Sequence, residues 1–371
     1  MSPARQRGAG ALGKGPRGID QPDEAPSDEE PSDETPSDGA PSERELTVAV
    51  TGPTGTFGAG LIPLLQDDDR VARIIGIARR PFDPAGRGWT KMQYRQGDVR
   101  DPEALQEAFR GADVVVHLAF LITGNASRRT AREINVEGTL NAFRAAAAAG
   151  VRRFVHASSV AAYGFHADNP ALIAEDWPVR PANRLFYAQE KAELEHLLEV
   201  EAATSGGLAL YLLRPPVVLG PNVVGGKDIL PGPLAPLGRR LFGRPRRLPV
   251  PVPLLVPEYP LQFVHEEDVG RALQLCVVAA GPPGAYNIAG EGVLTAGDVA
   301  GEFGALPVRL PAAPAQAAAR AFARLPFLPP AAEWVDAFTH PAIMDTTKAR
   351  EELGWQPRYT GLEALRATLR P

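Results

Sequence analysis

Tyr187 and Lys191 are two residues whose types and spacing could do chemistry. They stand four positions apart in a segment with a helical pattern, residues 184–204, so both side chains should project from one face of the helix. A free tyrosine has a pKa of about 10 and is a poor acid–base catalyst near neutral pH. A lysine ammonium one turn away stabilises the phenolate and lowers that pKa. The pair therefore predicts a proton-transfer site.

Ser158 and Ser159 precede this pair in the chain and directly follow a predicted buried strand, residues 153–157. In open α/β sheets, binding sites form at the carboxyl ends of the strands. A serine hydroxyl placed there can hold the substrate oxygen that a tyrosine protonates or deprotonates. Serine, tyrosine and lysine together predict a site that moves a proton opposite a nicotinamide ring.

A glycine-rich turn, residues 51–58, joins the first predicted strand to a helical segment. Gly52 allows the tight turn out of the strand, Gly55 lets the backbone approach a pyrophosphate, and Gly58 allows close packing of helix on sheet. The first helical turn then offers backbone N–H groups to the phosphates. This position between a strand and a helix predicts a binding site for NAD or NADP. The residues of the turn expected to contact the cofactor are Gly52, Thr54, Gly55, Thr56, Phe57 and Gly58.

The residues after the second predicted strand bear on the choice between NAD and NADP. An acidic residue there would bond the ribose hydroxyls of NAD. This chain has Arg79 and Arg80 instead, and either guanidinium could pair with the 2′-phosphate of NADP. We therefore expect NADP rather than NAD. The alternative is that both arginines are solvated and that Asp83 or a backbone group binds the ribose.

Alternating strands and helices must position these residues. Continuous apolar runs separated by helical patterns predict an α/β fold, a Rossmann-type doubly wound parallel sheet covered on both faces. We place the NAD(P)-binding domain at residues 45–215, and a smaller, partly interwoven substrate-binding lobe at residues 216–371. The predicted strands are residues 46–51, 73–78, 92–95, 113–118, 153–157 and 209–213, and the predicted helices are residues 102–110, 128–149, 184–204, 266–280, 314–324 and 345–353.

Residues 1–44 differ in composition from the rest of the chain. Pro-Ser-Asp-Glu units recur from Pro26 onwards, and the segment has no apolar face to bury, so we expect an acidic, disordered tail. The eleven acidic and five basic residues of segment 1–45 give it a net charge of −6, so the rest of the chain carries +1 of the total of −5. The remainder is nearly neutral, and we expect no binding to nucleic acid.

Composition also argues against several classes of protein. The single cysteine, Cys276, lies in an apolar helical run and is expected in the core. No two of the six histidines have the spacing of metal ligands, so we expect no metal site. The chain lacks both a membrane-length apolar stretch and the apolar segment of a signal peptide, which predicts a cytoplasmic protein without a membrane contact.

The motifs occur in an order that resembles the extended short-chain dehydrogenase/reductases, the NAD-dependent epimerase/dehydratase family, from residue 46 to about residue 360. The resemblance implies Ser159, Tyr187 and Lys191 as the catalytic residues. It implies that Asn135 either supports the site or makes a packing hydrogen bond. The motifs are Thr51–Gly58, Ser158–Gly164, Tyr187–Lys191, Leu213–Pro221, Phe263–Val269 and Leu353–Pro357.

The resemblance also implies cofactor contacts outside the glycine turn. Asp98 would accept a hydrogen bond from the adenine amino group, and the backbone N–H of Val99 would bond the adenine ring. Leu118 and Ala119 stand where the family brings small residues against the cofactor. A homodimer built on the helix of Tyr187 is a further implication. With Arg79 and Arg80 included, the full set of cofactor contacts expected outside the glycine turn is Arg79, Arg80, Asp98, Val99, Leu118, Ala119, Tyr187, Lys191 and Pro215.

One position departs from the pattern of the family. Nucleotide-sugar members usually carry an arginine shortly before Phe-Val-His that binds the substrate diphosphate, and Leu261 stands there in this chain. Five arginines between Arg239 and Arg247 could substitute or could form a solvated loop, and residues 248–257 could line an apolar pocket. We expect a (nucleotide-)sugar substrate. The alternatives are an NADPH-dependent reductase or dehydrogenase of a non-sugar carbonyl or alcohol and a non-enzymatic dinucleotide sensor, which usually lacks part of the catalytic set.

Overall fold

The computed structural model describes residues 45–122, 127–183, 185–223, 253–310 and 340–369. Three features expected from sequence lie outside the described residues. They are the acidic tail, the group of five arginines and the predicted helix at residues 314–324.

The strands of the described residues belong to one large sheet and three small ones. Their bounds are β1 Leu46–Thr51, β2 Val71–Ala78, β3 Met92–Gln96, β4 Val114–His117, β5 Arg153–Ala157, β6 Ala209–Arg214, β7 Val217–Leu219, β8 Pro253–Pro257, β9 Pro260–Leu261, β10 Phe263–His265, β11 Gly284–Asn287, β12 Leu294–Thr295 and β13 Leu306–Leu310.

The helices of the described residues follow these strands along the chain. Their bounds are α1 Thr56–Gln66, α2 Pro102–Phe109, α3 Arg128–Arg132, α4 Gly138–Ala148, α5 Phe186–Thr204, α6 Glu266–Val277, α7 Ala296–Glu302, α8 Thr347–Glu352 and α9 Gly361–Leu369. A π-helical turn, Glu133–Glu137, connects α3 to α4.

Seven strands form the central sheet in the order β11-β6-β5-β4-β1-β2-β3, and each neighbouring pair is parallel. The chain builds outward from β1 in one direction through β3, then returns to β4 on the other side of β1. The predicted Rossmann-type doubly wound sheet is therefore confirmed. Sites in such sheets form at the reversal of strand order, here between the carboxyl ends of β1 and β4.

Apolar side chains cover both faces of this sheet. On one face, α1 and α6 bury Leu61 and Leu273 against strand residues such as Val48 and Val116. On the other face, α2, α4 and α5 supply a second buried cluster around Phe154. Cys276 belongs to the first cluster and is fully buried, which confirms the expectation of a core thiol.

Two glycines allow α1 and α6 to approach each other closely. A Cβ added at Gly60 would lie 2.2 Å from the carbonyl oxygen of Glu266, and one added at Gly270 would lie 2.2 Å from that of Gly60. Contacts that close are sterically forbidden, so both positions require glycine. Helix α6 covers one face of the central sheet, and β11 extends the sheet by pairing with β6. Segments beyond residue 215 therefore complete the central sheet and the helical layer on that face.

A buried carboxylate ties the end of the described chain to α6. Asp268 accepts hydrogen bonds from the backbone N–H groups of Arg358 and Tyr359 at 2.8 and 3.1 Å. The indole of Trp355 donates to the Asp268 carbonyl oxygen at 2.9 Å. Two motifs that are distant in the sequence therefore meet in the fold.

Candidate functional site

The glycine turn after β1 has a backbone that other residues could not adopt. Gly52 has a φ of +70°, in the left-handed region, and a Cβ there would lie 2.9 Å from the backbone nitrogen of Ala119. A Cβ at Gly58 would lie 2.0 Å from the carbonyl oxygen of Pro53. At Gly55 the nearest atom to an added Cβ is 3.5 Å away, an ordinary contact. The backbone is therefore closely packed at Gly52 and Gly58, whereas Gly55 leaves room for a ligand to approach.

The turn also has the polarity that a pyrophosphate requires. Gly55 precedes the first residue of α1 and has no side chain to cap the helix, whose first turn contains no acidic residue. Backbone N–H groups at such a helix start attract anions. Beside the turn, the backbone N–H groups of Leu118 and Ala119 bond the carbonyl and the hydroxyl oxygen of Thr51 at 3.1 and 3.3 Å. These features fit a dinucleotide.

The arginines after β2 are exposed on a braced backbone. The hydroxyl of Tyr94 donates to the carbonyl of Ala78 at 2.9 Å and to that of Arg80. The side chain of Gln96 donates to the carbonyl of Arg79 at 3.0 Å. Both guanidinium groups belong to exposed residues. They are therefore available to an anionic group that approaches this edge of the sheet.

Asp98 already has a cationic partner in this structure. Its carboxylate accepts from the guanidinium of Arg100 at 2.7 and 3.1 Å, and this hydrogen bonding lowers the pKa of Asp98. The neighbouring Val99 is buried against Gly138, where a Cβ would lie 2.5 Å from a Val99 methyl carbon. Sequence reasoning missed Arg100, although its position two residues after Asp98 was a usable signal. A carboxylate has further lone pairs for an adenine amino group.

The structure brings Ser159, Tyr187 and Lys191 together at the carboxyl end of β5. Ser159 lies beside the tyrosine hydroxyl, and its side chain acts to lower the pKa of that phenol. The Ser159 oxygen also accepts from the backbone N–H of Ala161 at 3.1 Å, which fixes its direction. The Lys191 ammonium donates to the carbonyl oxygen of Ala157 at 2.7 Å.

Burial dominates the proton affinities of this group. It lowers the pKa of Lys191 to about 7, against the opposing effect of the carboxylates of Glu195 and Glu190. It raises the pKa of Tyr187, against the opposing effect of the Ser159 side chain. The net shift in the pKa of Tyr187 is therefore upward, opposite in direction to the lowering expected from the lysine. The ammonium is directed at a backbone carbonyl instead and lies 5.9 Å from the centre of the tyrosine ring.

Ser158 points away from the tyrosine into a buried polar network. Its hydroxyl donates to Glu195, which the guanidinium of Arg214 contacts at 2.6 to 3.1 Å. Arg214 also donates to the hydroxyl of Tyr163 at 2.6 Å, and that hydroxyl donates to Asn287 at 2.9 Å. Sequence reasoning missed this network. One signal was present, because Glu195 follows Lys191 by one helical turn.

Asn135 lies on the π-helical turn and holds two segments of the site. Its side-chain oxygen accepts from the backbone N–H of Leu121 at 2.7 Å, and its amide donates to the Leu121 carbonyl at 3.0 Å. The same amide donates to the carboxylate of Glu190 at 2.7 Å. Asn135 therefore positions the segment after β4 relative to the helix that carries Tyr187 and Lys191.

His117 at the end of β4 is a further residue of the site that sequence reasoning did not assign. Its two ring nitrogens lie 2.9 and 3.0 Å from the hydroxyl oxygens of Thr51 and Thr139. Burial lowers its pKa to about 3, so the ring is neutral. This neutral imidazole connects the start of the glycine turn to α4.

Two remaining site positions lie at the edge of this arrangement. Pro215 directly follows β6 and is buried, and its carbonyl oxygen accepts from the backbone N–H of Val160 at 2.9 Å. Leu261 lies in β9, which pairs with β12. Among the described residues, no helix is long and apolar enough to cross a bilayer, and no three potential ligands form a metal cluster.

Comparisons with known proteins identify the chain at the level of a family. The NAD dependent epimerase/dehydratase family matches residues 48–289. An uncharacterised protein of Mycobacterium tuberculosis (strain ATCC 25618 / H37Rv) is 28% identical over 323 residues, which are 85% of this chain and 81% of that protein. Sterol demethylase protein B of Methylococcus capsulatus (strain ATCC 33009 / NCIMB 11132 / Bath) is 33% identical over 179 residues, 47% of this chain and 52% of that protein.

Solved structures share the fold at low sequence identity. The dTDP-glucose 4,6-dehydratase DesIV from Streptomyces venezuelae, with NAD and TYD bound, aligns with a TM-score of 0.65 at 24% identity, covering 88% of this chain and 96% of that chain. UDP-glucose 4-epimerase from Thermotoga maritima, with UDP-glucose, aligns with a TM-score of 0.64 at 22% identity, covering 87% of this chain and 97% of that chain.

Proposed function

Since this chain belongs to the NAD-dependent epimerase/dehydratase family, we propose that Ser159, Tyr187 and Lys191 catalyse hydride transfer at a carbon that bears the substrate oxygen. The observation that carries the proposal is that Ser159 lies beside the Tyr187 hydroxyl, with the Lys191 ammonium at the same strand end. A serine and a phenol that converge in this way can hold one oxygen atom between them.

The catalytic residues move a proton at that oxygen. The raised pKa keeps the phenol of Tyr187 protonated, so the structure as it stands presents the acid form of the site. Tyr187 donates its proton to a carbonyl oxygen that is being reduced, and takes the proton of a hydroxyl that is being oxidised. Ser159 orients the oxygen by a hydrogen bond. The Lys191 ammonium offsets the negative charge of the phenolate.

The glycine turn and the arginines after β2 would hold the cofactor. Gly52, Gly55 and Gly58 would accommodate the pyrophosphate, and Lys191 would bond the nicotinamide ribose. When bound, the dinucleotide supplies or accepts the hydride. The exposed guanidinium groups of Arg79 and Arg80 support NADP over NAD, because a 2′-phosphate would give them a charge-assisted partner.

Two substrate classes follow from different observations. Membership of the family supports a nucleotide-linked sugar, the class named for the two solved structures. Leu261 and the apolar segment after β4, where Ile122 is 58% exposed, favour an apolar alcohol or carbonyl instead. A relative named as a sterol demethylase protein agrees with the second class. We propose the sugar first and the apolar substrate as the second candidate.

Bound cofactor and its fate during turnover test the proposal. Mass spectrometry of the purified protein under native conditions should find NAD or NADP attached. With dTDP-glucose or UDP-glucose, an epimerase or dehydratase changes the sugar without net consumption of free cofactor. With a panel of steroidal and aromatic ketones, a reductase consumes NADPH in equal amounts with product. Failure of both dinucleotides to bind would refute the proposed function.

Replacement of Arg79 by serine tests the cofactor preference. We expect the Kd for NADP to rise about 10- to 100-fold, the value of one charge-assisted hydrogen bond, while the Kd for NAD stays the same. Isothermal titration of both cofactors measures the two values. The matched control is Arg110→Ser. Arg110 is an exposed arginine that follows α2, where the chain leads to the amino end of β4, whereas Arg79 follows the carboxyl end of β2. An equal loss for NAD and NADP would contradict the role of Arg79.

A further inference from the structure

The ring of Phe120 lies directly on the Lys191 ammonium. The side-chain nitrogen is 3.5 Å from the ring centroid, well within the range of a cation–π contact. The same ring meets Tyr187 edge to face, with centroids 5.7 Å apart and an angle of 87° between the planes. Phe120 therefore touches both members of the proposed acid–base pair from the segment that follows β4.

The other groups that face this ammonium are two carboxylates and one backbone carbonyl. From its own helix, the carboxylates of Glu190 and Glu195 raise the proton affinity of Lys191. Their oxygens are bound in part by Asn135 and by Arg214, respectively. The hydrogen-bond acceptor that the described residues place at the ammonium is the carbonyl of Ala157.

Two histidines lie near the same ammonium from the neighbouring strands. His117 ends β4 and His156 lies in β5, and their rings stack with centroids 5.8 Å apart. Burial lowers the pKa of each, and the charge of Lys191 lowers both further. Both rings are therefore neutral at physiological pH and offer the ammonium no counter-charge.

We propose that Phe120 is a positioning residue of the proton-transfer site, whose ring face holds the Lys191 ammonium in its charged form and in place beside Tyr187. The inference rests on the proposed function of that pair. The negative face of an aromatic ring attracts a cation, and the attraction is strongest where water is excluded. Lys191 meets this condition, since it is only 3% exposed.

The ring acts on Lys191 in two ways that have opposite effects on its pKa. Its π face stabilises the ammonium and raises the pKa, whereas its bulk excludes water and lowers the pKa. Phe120→Leu removes the π face and keeps an apolar cover. Phe120→Ala removes both and admits water. Phe120→Leu should therefore lower the pKa of Lys191, and Phe120→Ala should leave it at a higher value than Phe120→Leu does.

Lysine-selective NMR measures this pKa without any turnover. The chain has five lysines, Lys14, Lys91, Lys191, Lys227 and Lys348. Lysine labelled with ¹³C at the ε carbon gives one signal for each, and Lys191→Met identifies the signal of interest. We expect Phe120→Leu to lower the pKa of Lys191 by about one unit, Phe120→Ala to give a higher pKa than Phe120→Leu, and Phe120→Trp to retain the wild-type value or exceed it.

The matched control places the same substitution at a neighbouring ring. Phe165 and Tyr187 pack against the same small apolar cluster, and no cation–π contact joins Phe165 to Lys191 in the described residues. Phe165→Leu should leave the titration of Lys191 unchanged. An unchanged titration in Phe120→Leu as well would overturn the inference, as would equal shifts in the two leucine variants.

The pH dependence of kcat in the holoenzyme connects the titration to catalysis. Because the ammonium is the active form, activity should fall as pH rises through the pKa of Lys191. In Phe120→Leu this alkaline limb should move to lower pH by about one unit. A shifted NMR titration in a protein that turns over no alcohol or carbonyl would refute the proposed function alone. A shifted titration with an unmoved limb would overturn the positioning role.

Discussion

Replacement of Tyr187 by phenylalanine is expected to lower kcat by about 10³-fold, because it removes the proposed proton donor and leaves the ring in place. The phenyl ring keeps the edge-to-face contact with Phe120. The lost hydroxyl belongs to α5, whereas the glycine turn that would hold the cofactor follows β1. The Kd of the cofactor should therefore change little. Steady-state kinetics and titration of the dinucleotide measure the two quantities on the same preparation.

Two other tyrosines bear on this experiment, one as a control variant and one as a competing proton donor. Tyr94→Phe removes a hydroxyl that bonds the backbone after β2 and should retain kcat. Tyr163 is the other phenol near Ser159, but its hydroxyl is already bonded to Arg214 and Asn287, and burial raises its pKa to about 12. Near-normal kcat in Tyr187→Phe would assign the proton to another group and refute the role of Tyr187.

The central sheet could be predicted because its strands carry their own signal. Val114-Val115-Val116 is continuously apolar, as a strand buried on both faces must be, and it became β4 within one or two residues of the predicted bounds. The same holds for β1, β5 and β6. Helices follow these strands at regular intervals, and this alternation predicts the doubly wound class from the sequence alone.

Elements that depend on distant partners could not be predicted in this way. β11, Gly284–Asn287, is four residues long and joins the sheet only because β6 provides an edge beside it. The π-helical turn that carries Asn135 has no distinct sequence period. The pairing that defines β11 lies elsewhere in the chain, beyond the reach of a local pattern. The π-helical turn is local, but its sequence does not distinguish it from the α-helices on either side.

The site shows the same division between local and distant information. Spacing along one helix was enough to place Tyr187 and Lys191 on a common face. It could not choose between Ser158 and Ser159, which the end of β5 directs to different surroundings. Nor could it show that Phe120 covers the ammonium, since that contact joins a loop to a helix across more than sixty intervening residues.

Replacement of Arg214 by methionine should destabilise the protein more than any exposed ion-pair variant. Arg214 and Glu195 form a buried pair, with side chains only 4% and 2% exposed and a shortest contact of 2.6 Å. Removal of one partner leaves the other charge buried without compensation, which typically costs about 3–5 kcal/mol of the free energy of unfolding. Urea denaturation followed by circular dichroism measures the loss.

The contrast with an exposed pair makes this stability prediction specific. Arg366 contacts Glu302 at 2.8 Å, but its side chain is 51% exposed, so Arg366→Met should cost about 1 kcal/mol or less. The double variant Arg214→Met with Glu195→Leu removes both buried charges and should recover part of the loss, although Ser158 and Tyr163 lose partners. Equal losses in the buried and exposed single variants would show that the buried polar network of Ser158 does not depend on this ion pair.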